Sequence, residues 1–215
     1  MDISRHLEYT LLRPDAGQRE IEELCHTGLA FSVFGVCVPP YWVKAACRIR
    51  GSSAMKVVTV CGFPLGYSKS AVKAAEALEA LDDGADEIDV VMNVSALRSG
   101  MPGWIKPEIA RLAELCHSRE AILKVILETC YLSREEISQM SVLCRDAGAD
   151  FIKTSTGFGK AGATAEDIRL IRAAVGSACG IKASGGIRSL DFARELLEAG
   201  ADRIGASGHP SVFQG

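Results

Sequence analysis

Eight short apolar runs punctuate the chain, separated by stretches that are amphipathic or rich in alanine. The runs are LEYTLL (7–12), FSVFGVCV (31–38), MKVVTVCGF (55–63), DEIDVVMN (86–93), ILKVILETC (122–130), DFIKTSTGF (150–158), GIKASGG (180–186) and DRIGASG (202–208). Their β-branched content and near-continuous hydrophobicity predict strands covered on both faces, as in a parallel sheet. The intervening YSKSAVKAAEALEALDDG, REEISQMSVLCRDAG, TAEDIRLIRAAVG and SLDFARELLEAG carry apolar residues at helical spacing. Ser133 ahead of Arg-Glu-Glu and Thr164 ahead of Ala-Glu-Asp are N-cap signals for two of these helices.

A weak repeat supports the same alternation. DGADEID (83–89), AGADFIK (147–153) and AGADRIG (199–205) each close a helix with glycine and step through Ala-Asp into a strand. Strand–helix units repeated about eight times predict an α/β fold of the (β/α)8 TIM-barrel type, with eight parallel strands, rather than an open doubly wound sheet. The open sheet would announce itself by a glycine-rich phosphate turn after the first strand, and LLRPDAG is not one. With no linker or composition break, residues 1–215 read as a single domain. The sequence stops soon after the eighth strand, at HPSVFQG, so the final helix is expected to be shortened, missing or a stub.

Composition narrows the function classes. Of 215 residues, 48% are hydrophobic and 24% charged, as in ordinary globular proteins. A net charge of −3 offers no basic field for nucleic acid and no polybasic face for a membrane. The N-terminus has no signal-peptide pattern, and no apolar run is long enough to cross a bilayer. Eight cysteines contain no C-x-x-C pair and sit mostly among aliphatic neighbours, which points to reduced thiols and the cytosol. His6, His26, His117 and His209 share no metal spacing, so neither a metal nor another cofactor is expected. Trp42 and Trp104 read as packing residues in helical stretches.

Against this background, two lysines are out of place. In FIKTSTG, Ile152 and Lys153 point to opposite sides of the strand. If Ile152 packs under the helices, Lys153 faces the barrel interior, and the same register turns Lys182 of GIKAS and Asp89 of EIDVV inward. The sixth and seventh strands are neighbours about 4.8 Å apart, so the two ammonium stems are brought together. Desolvation and repulsion then push one amine well below the ordinary lysine value of about 10.4. A neutral lysine attacks carbonyl groups and forms a Schiff base. Its iminium acidifies a neighbouring C–H, and Asp89, directly or through water, can move the proton. Taken singly, each lysine is a solvated strand end; the matched pair with an inward Asp favours chemistry. Loops TSTGFGKAG, ASGGIR and GASG follow the sixth, seventh and eighth strands and offer backbone N–H groups for an anion. Lys160 and Arg188 either add charge there or belong to the surface.

The motifs TLLRPDA, KVVTVCGFPLG, GADEIDVVMN, KVILET, ADFIKTSTGF, GIKASGGIR and AGADRIGAS together resemble the 2-deoxyribose-5-phosphate aldolase family, in order from about residue 8 to residue 207. The resemblance implies a metal-free class I aldolase on a (β/α)8 barrel, joining acetaldehyde to glyceraldehyde 3-phosphate in deoxynucleoside catabolism. It makes Lys153 the Schiff-base lysine, Lys182 the neighbouring cation, and Asp89 the acid/base acting with water. It assigns phosphate binding to Gly157, Gly185, Gly186, Gly205 and Ser207. Thr10 and Cys37 take positions that line the substrate pocket, although Cys37 reads equally well as core packing. Three features depart from the family pattern. Glu8 stands where Asp is common, Gly208 replaces a serine, and the tail is short. The short tail is compatible with a homo-oligomer, a dimer or a tetramer, in which a partner covers the exposed barrel side. Two rival readings stay open: another lysine-dependent barrel aldolase, and a phosphate-ligand-binding barrel without catalysis.

Overall fold

The structure, a computed structural model, describes residues 3–214. Its strands are β1 (Leu7–Thr10), β2 (Gly35–Val38), β3 (Lys56–Cys61), β4 (Glu87–Val91), β5 (Ile122–Ile126), β6 (Phe151–Lys153), β7 (Gly180–Ser184) and β8 (Arg203–Ala206). Each pairs in parallel with its neighbour in sequence, and β8 returns to β1, closing the barrel. One strand lies inside each of the eight apolar runs. All but FSVFGVCV overshoot at their C-terminal ends because residues such as Thr154 to Phe158 leave the ladder to build loops.

The helices are α1 (Gln18–Ala30), α2 (Val43–Arg50), α3 (Ser70–Asp82), α4 (Val94–Arg98), α5 (Ile105–His117), α6 (Arg134–Asp146), α7 (Ala165–Val175) and α8 (Leu190–Glu198). They are not shared out evenly. α4 and α5 both lie between β4 and β5, and among the described residues β8 is followed by a 3-10 turn, Pro210–Phe213. Ser133 and Thr164 cap α6 and α7 as their sequences predict, each accepting a backbone N–H with its side chain.

The GAD repeats explain how register is set. Each repeat aspartate reaches back to the strand before it. Asp86 accepts the N–H of Val57 at 2.7 Å, Asp150 that of Leu123 at 2.8 Å, and Asp202 that of Ile181 at 2.8 Å. Strand parity is thereby fixed at the N-terminal end of β4, β6 and β8, and a slip of one residue would turn every side chain to the other face. Three residues beyond each aspartate, the chain presents Asp89, Lys153 and Gly205 to the interior.

Hydrophobic burial is concentrated outside the barrel. Val36, Val57, Ile88, Leu123, Ile152, Ile181 and Ile204 are fully buried against the helices, in one continuous cluster. A separate small cluster of Cys37, Val58 and Val60 fills the interior beside β2 and β3. The interior also holds an ionic cluster, with Glu8, Glu87, Asp89, Lys124, Lys153 and Lys182 all buried. Trp42 packs against the main core, but Trp104 does not. It ends a 3-10 turn, Pro102–Trp104, and is 70% exposed, which corrects its expected packing role. Among the described residues, no helix is long and apolar enough to cross a membrane.

Candidate active site

Four cations and three carboxyl groups meet inside the barrel. Lys153 and Lys182 are register partners on β6 and β7, as their strand parity predicts. Both donate to the same oxygen, Oδ2 of Asp89, at 2.8 and 2.7 Å. The other Asp89 oxygen accepts from Lys124 of β5 at 2.8 Å, and Asp89 and Lys124 are themselves register partners. Lys124 also reaches Glu87 at 2.5 Å and Glu8 at 3.5 Å. Glu8 of β1 accepts a close hydrogen bond from Lys182. Arg203 lies 3.6 Å from Glu8 and 3.9 Å from Glu87, with its guanidinium stacked on the ring of Phe34.

The partners are not shared equally. Lys124 faces three carboxyl groups, and Lys182 and Arg203 face two each. Lys153 has only Asp89, which it shares. Formally, three negative charges are matched by Lys124, Lys182 and Arg203, and a fourth cation at Lys153 would be in excess. The electrostatics follow that count. Burial pushes the Lys153 pKa down, Asp89 resists, and Lys182 adds to the lowering. Burial acts in the same sense on Lys182 and Lys124, but Asp89 and Glu8 outweigh it and raise both. Burial disfavours the Asp89 carboxylate, yet Lys124, Lys153 and Lys182 together hold it well below the usual range. Of the three lysines, Lys153 is the one whose ammonium form the cluster disfavours. Loss of solvent contributes more than the neighbouring ammonium on which the sequence argument leaned.

Lys153 is also the member of this cluster that meets a pocket. The pocket, about 240 Å³, is bounded on one side by Lys153, Thr10 and Ser184 and on the other by the loops after β6, β7 and β8. Gly157, Gly185, Gly186, Gly205 and Ser207 all line it, so the sequence-predicted anion cradle and the lysine open onto one space. No main-chain hydrogen bond of the described residues engages the amides of Gly157, Gly186 and Ser207. Two of the glycines are there for stereochemical reasons. Gly185 has φ of 86°, and a Cβ on it would lie 3.0 Å from the backbone of Gly162. A Cβ on Gly205 would lie 3.0 Å from Cε of Lys182, whose stem passes over it.

Other expectations fare less evenly. Cys37 is wholly buried with Val58 and Val60, below the pocket wall, and burial pushes its thiol up to about 11. That favours packing. Arg188 lines the pocket, whereas Lys160 sits 5.4 Å over the ring of Tyr131, away from it. His209 stacks edge-on with Phe31 and bonds Ser211, behind Ser207. Sequence reasoning missed Lys124, Glu87, Arg203 and Arg13, the last of which also lines the pocket. A signal existed for Lys124: it interrupts ILKVI at inward parity. Among the described residues, no group of three or more His, Cys, Asp or Glu side chains could hold a metal ion; the interior carboxyls face ammonium and guanidinium groups instead.

The profile of the DeoC/LacD aldolase family matches residues 9–211. The chain belongs to that family. Among its curated relatives, the deoxyribose-phosphate aldolase of Thermococcus kodakarensis is 46% identical over 216 residues, covering all of this chain and 96% of that protein. The one from Brevibacillus brevis is 46% identical over 215 residues, with the same coverage. Among solved structures, an aldolase described as QR15 superposes with a TM-score of 0.94 at 43% identity, over 99% of this chain and 95% of that one. The deoxyribose phosphate aldolase of Aeropyrum pernix, described as having a tetrameric structure, gives 0.91 at 32% identity over 98% and 89%. Within the DeoC/LacD family frame, the Glu8 departure acquires a structural meaning. Its longer side chain is wholly buried and reaches past β8 to Lys182, so the carboxyl stays inside the ionic cluster. Ser207, not Gly208, faces the pocket.

Proposed function

We propose that this aldolase cleaves 2-deoxyribose 5-phosphate reversibly to glyceraldehyde 3-phosphate and acetaldehyde, by a Schiff base on Lys153. The observation that carries the reading is the position of Lys153. It is the cation of the buried cluster with the fewest carboxyl partners, and it opens onto the glycine-lined pocket. The neutral Lys153 amine adds to the C1 aldehyde of the open-chain sugar, and loss of water leaves an iminium. The C2–C3 bond then breaks. Its electron pair moves to the iminium to form an enamine, while the C3 hydroxyl gives up its proton and becomes the aldehyde of glyceraldehyde 3-phosphate. Protonation of the enamine at C2, and hydrolysis, release acetaldehyde and restore the amine.

Asp89, held as a carboxylate, and the protonated Lys182 beside it supply the acid/base pair for these transfers, acting through water. Gly157, Gly185, Gly186, Gly205 and Ser207 hold the phosphate through backbone amides and the Ser207 hydroxyl, and Thr10 lines the sugar end. This reading takes residues 1–215 as one catalytic barrel working in the cytosol. A homo-oligomer belongs to the same proposal, and sedimentation at micromolar concentration tests it.

The decisive experiment is reduction with borohydride in the presence of acetaldehyde. One two-carbon adduct on Lys153, located by peptide mass mapping, supports the reading. No adduct on any lysine would leave a phosphate-binding barrel, and labelling by dihydroxyacetone phosphate instead would indicate a ketose-phosphate aldolase.

A further inference from the structure

Glu128 stands just past the end of β5 with φ of 58° and ψ of 62°, the left-handed region that a side chain disfavours and glycine accepts freely. A chain needing only a turn at this point would be served better by glycine. A non-glycine residue kept there implies that its side chain does something the backbone alone does not. Glu128 is 4% exposed, and its carboxyl is spent on the loop after β6. The N–H of Thr156 donates to Oε1 at 3.1 Å, and the Thr156 hydroxyl donates closely to Oε2. The Thr156 oxygen in turn accepts the N–H of Phe158 at 3.0 Å, so the grip continues across Gly157. Gly159 makes the approach possible, because a Cβ there would lie 2.9 Å from Sγ of Cys130 and 3.1 Å from Cδ of Glu128.

Thr156, Gly157 and Phe158 line the pocket over Lys153, while Glu128 does not; it borders a neighbouring recess of about 190 Å³ with Leu65, Val94 and Tyr131. We infer that Glu128 is a positioning residue: through Thr156 it fixes the loop after β6, and with it the Gly157 amide, at the phosphate end of the substrate. The inference rests on the aldolase reading, and it concerns the part of the reaction that distinguishes phosphorylated from plain sugars. Glu128 bonds Thr156 and Lys153 bonds Asp89, so the Schiff-base chemistry at Lys153 does not need Glu128.

Replacing Glu128 by glycine tests this without straining the turn, since glycine keeps the left-handed backbone while the side chain and its carboxyl are removed. Retro-aldol kinetics are measured on 2-deoxyribose 5-phosphate and on unphosphorylated 2-deoxyribose, with borohydride trapping of acetaldehyde as the reference. Glu128→Gly should raise KM for the phosphorylated sugar about tenfold, the scale of one lost hydrogen bond to a carboxylate. It should leave kcat on that sugar, the plain sugar and acetaldehyde trapping within about twofold. Glu128→Gln, which keeps an acceptor for the Thr156 N–H, should fall between, and adding Thr156→Val to Glu128→Gly should cost no more than either change alone. Equal losses on both sugars, or no change on either, would overturn the proposal. Failure of the aldolase reading itself would show separately, as no acetaldehyde adduct on the unaltered chain.

Discussion

Replacing Lys182 by methionine isolates the electrostatic cause of the reactivity proposed for Lys153. The substitution keeps the buried stem and removes one charge. In the unaltered protein the two amines share Oδ2 of Asp89, with Lys153 at 2.8 Å and Lys182 at 2.7 Å. Two unit charges held about 4 Å apart by a common acceptor repel by about 4 kcal/mol at an effective dielectric constant of about 20. Two further effects act in the same direction. Asp89 is left with Lys153 as the sole donor to that oxygen, and Glu8 loses its close Lys182 partner. The interior then counts three carboxyl groups against Lys124 and Arg203, so a protonated Lys153 completes the balance rather than exceeding it.

The Lys153 pKa, lowered in the intact cluster, must therefore rise. If relaxation leaves only a third of the repulsion, the unprotonated fraction at fixed neutral pH still falls about tenfold. The assay is the initial rate of borohydride-trapped acetaldehyde adduct across the neutral to alkaline range, with circular dichroism to show that the barrel is intact. The variant's rate should reach the same plateau, displaced to higher pH. An unmoved profile, or one displaced to lower pH, would refute the charge-balance account.

Lys153→Leu should abolish both turnover and adduct formation while the circular dichroism spectrum stays unchanged; residual adduct at another lysine would reject the assignment. Asp89→Asn should slow hydrogen exchange at the acetaldehyde methyl group, followed by proton NMR in deuterated water, and undiminished exchange would remove Asp89 from the proton path. The same variant tests linkage. The folded pKa of Asp89 lies below its ordinary 3.8, so the stability it contributes is complete above that value and lost as pH falls through the folded one; acid unfolding of Asp89→Asn should show a shallower loss. Lys124→Met takes from Glu87 its close partner inside the barrel and should cost about 3–5 kcal/mol in urea unfolding, the scale of breaking a buried pair. Gly185→Ala forces a side chain to φ of 86° against the Gly162 backbone, and should weaken binding of inorganic phosphate measured by calorimetry.

Fold and site were legible to different depths, for different physical reasons. The strands were readable because a barrel buries both strand faces, which leaves apolar runs between helices of a different period. Inward parity was readable at Lys153, Lys182 and Asp89 because each interrupts an apolar run beside an Ile or Val that must face the helices. The same test applied to ILKVI would have found Lys124, and applied to EIDVV it would have found Glu87 beside Asp89. Arg203 was harder to see: it stands first in its strand, where an arginine usually meets solvent, and only in the fold do Glu8, Glu87 and the Phe34 ring draw it inward. Nothing local marked Glu128, since its left-handed backbone and its hold on Thr156 depend on β6 lying alongside.

Those omissions bear on the argument about which lysine is neutral. With only Lys153, Lys182 and Asp89 in view, the two amines are equivalent claimants on one carboxylate, and repulsion says that one must yield without saying which. Lys124 takes the other Asp89 oxygen, and Glu8 fastens Lys182 from the opposite wall. The symmetry is broken by the Glu8 contact, since Lys124 holds Asp89 without favouring either amine. Glu8 thus bears on the proposed choice of nucleophile from β1: its carboxyl fastens Lys182 and leaves Lys153 with a share of Asp89.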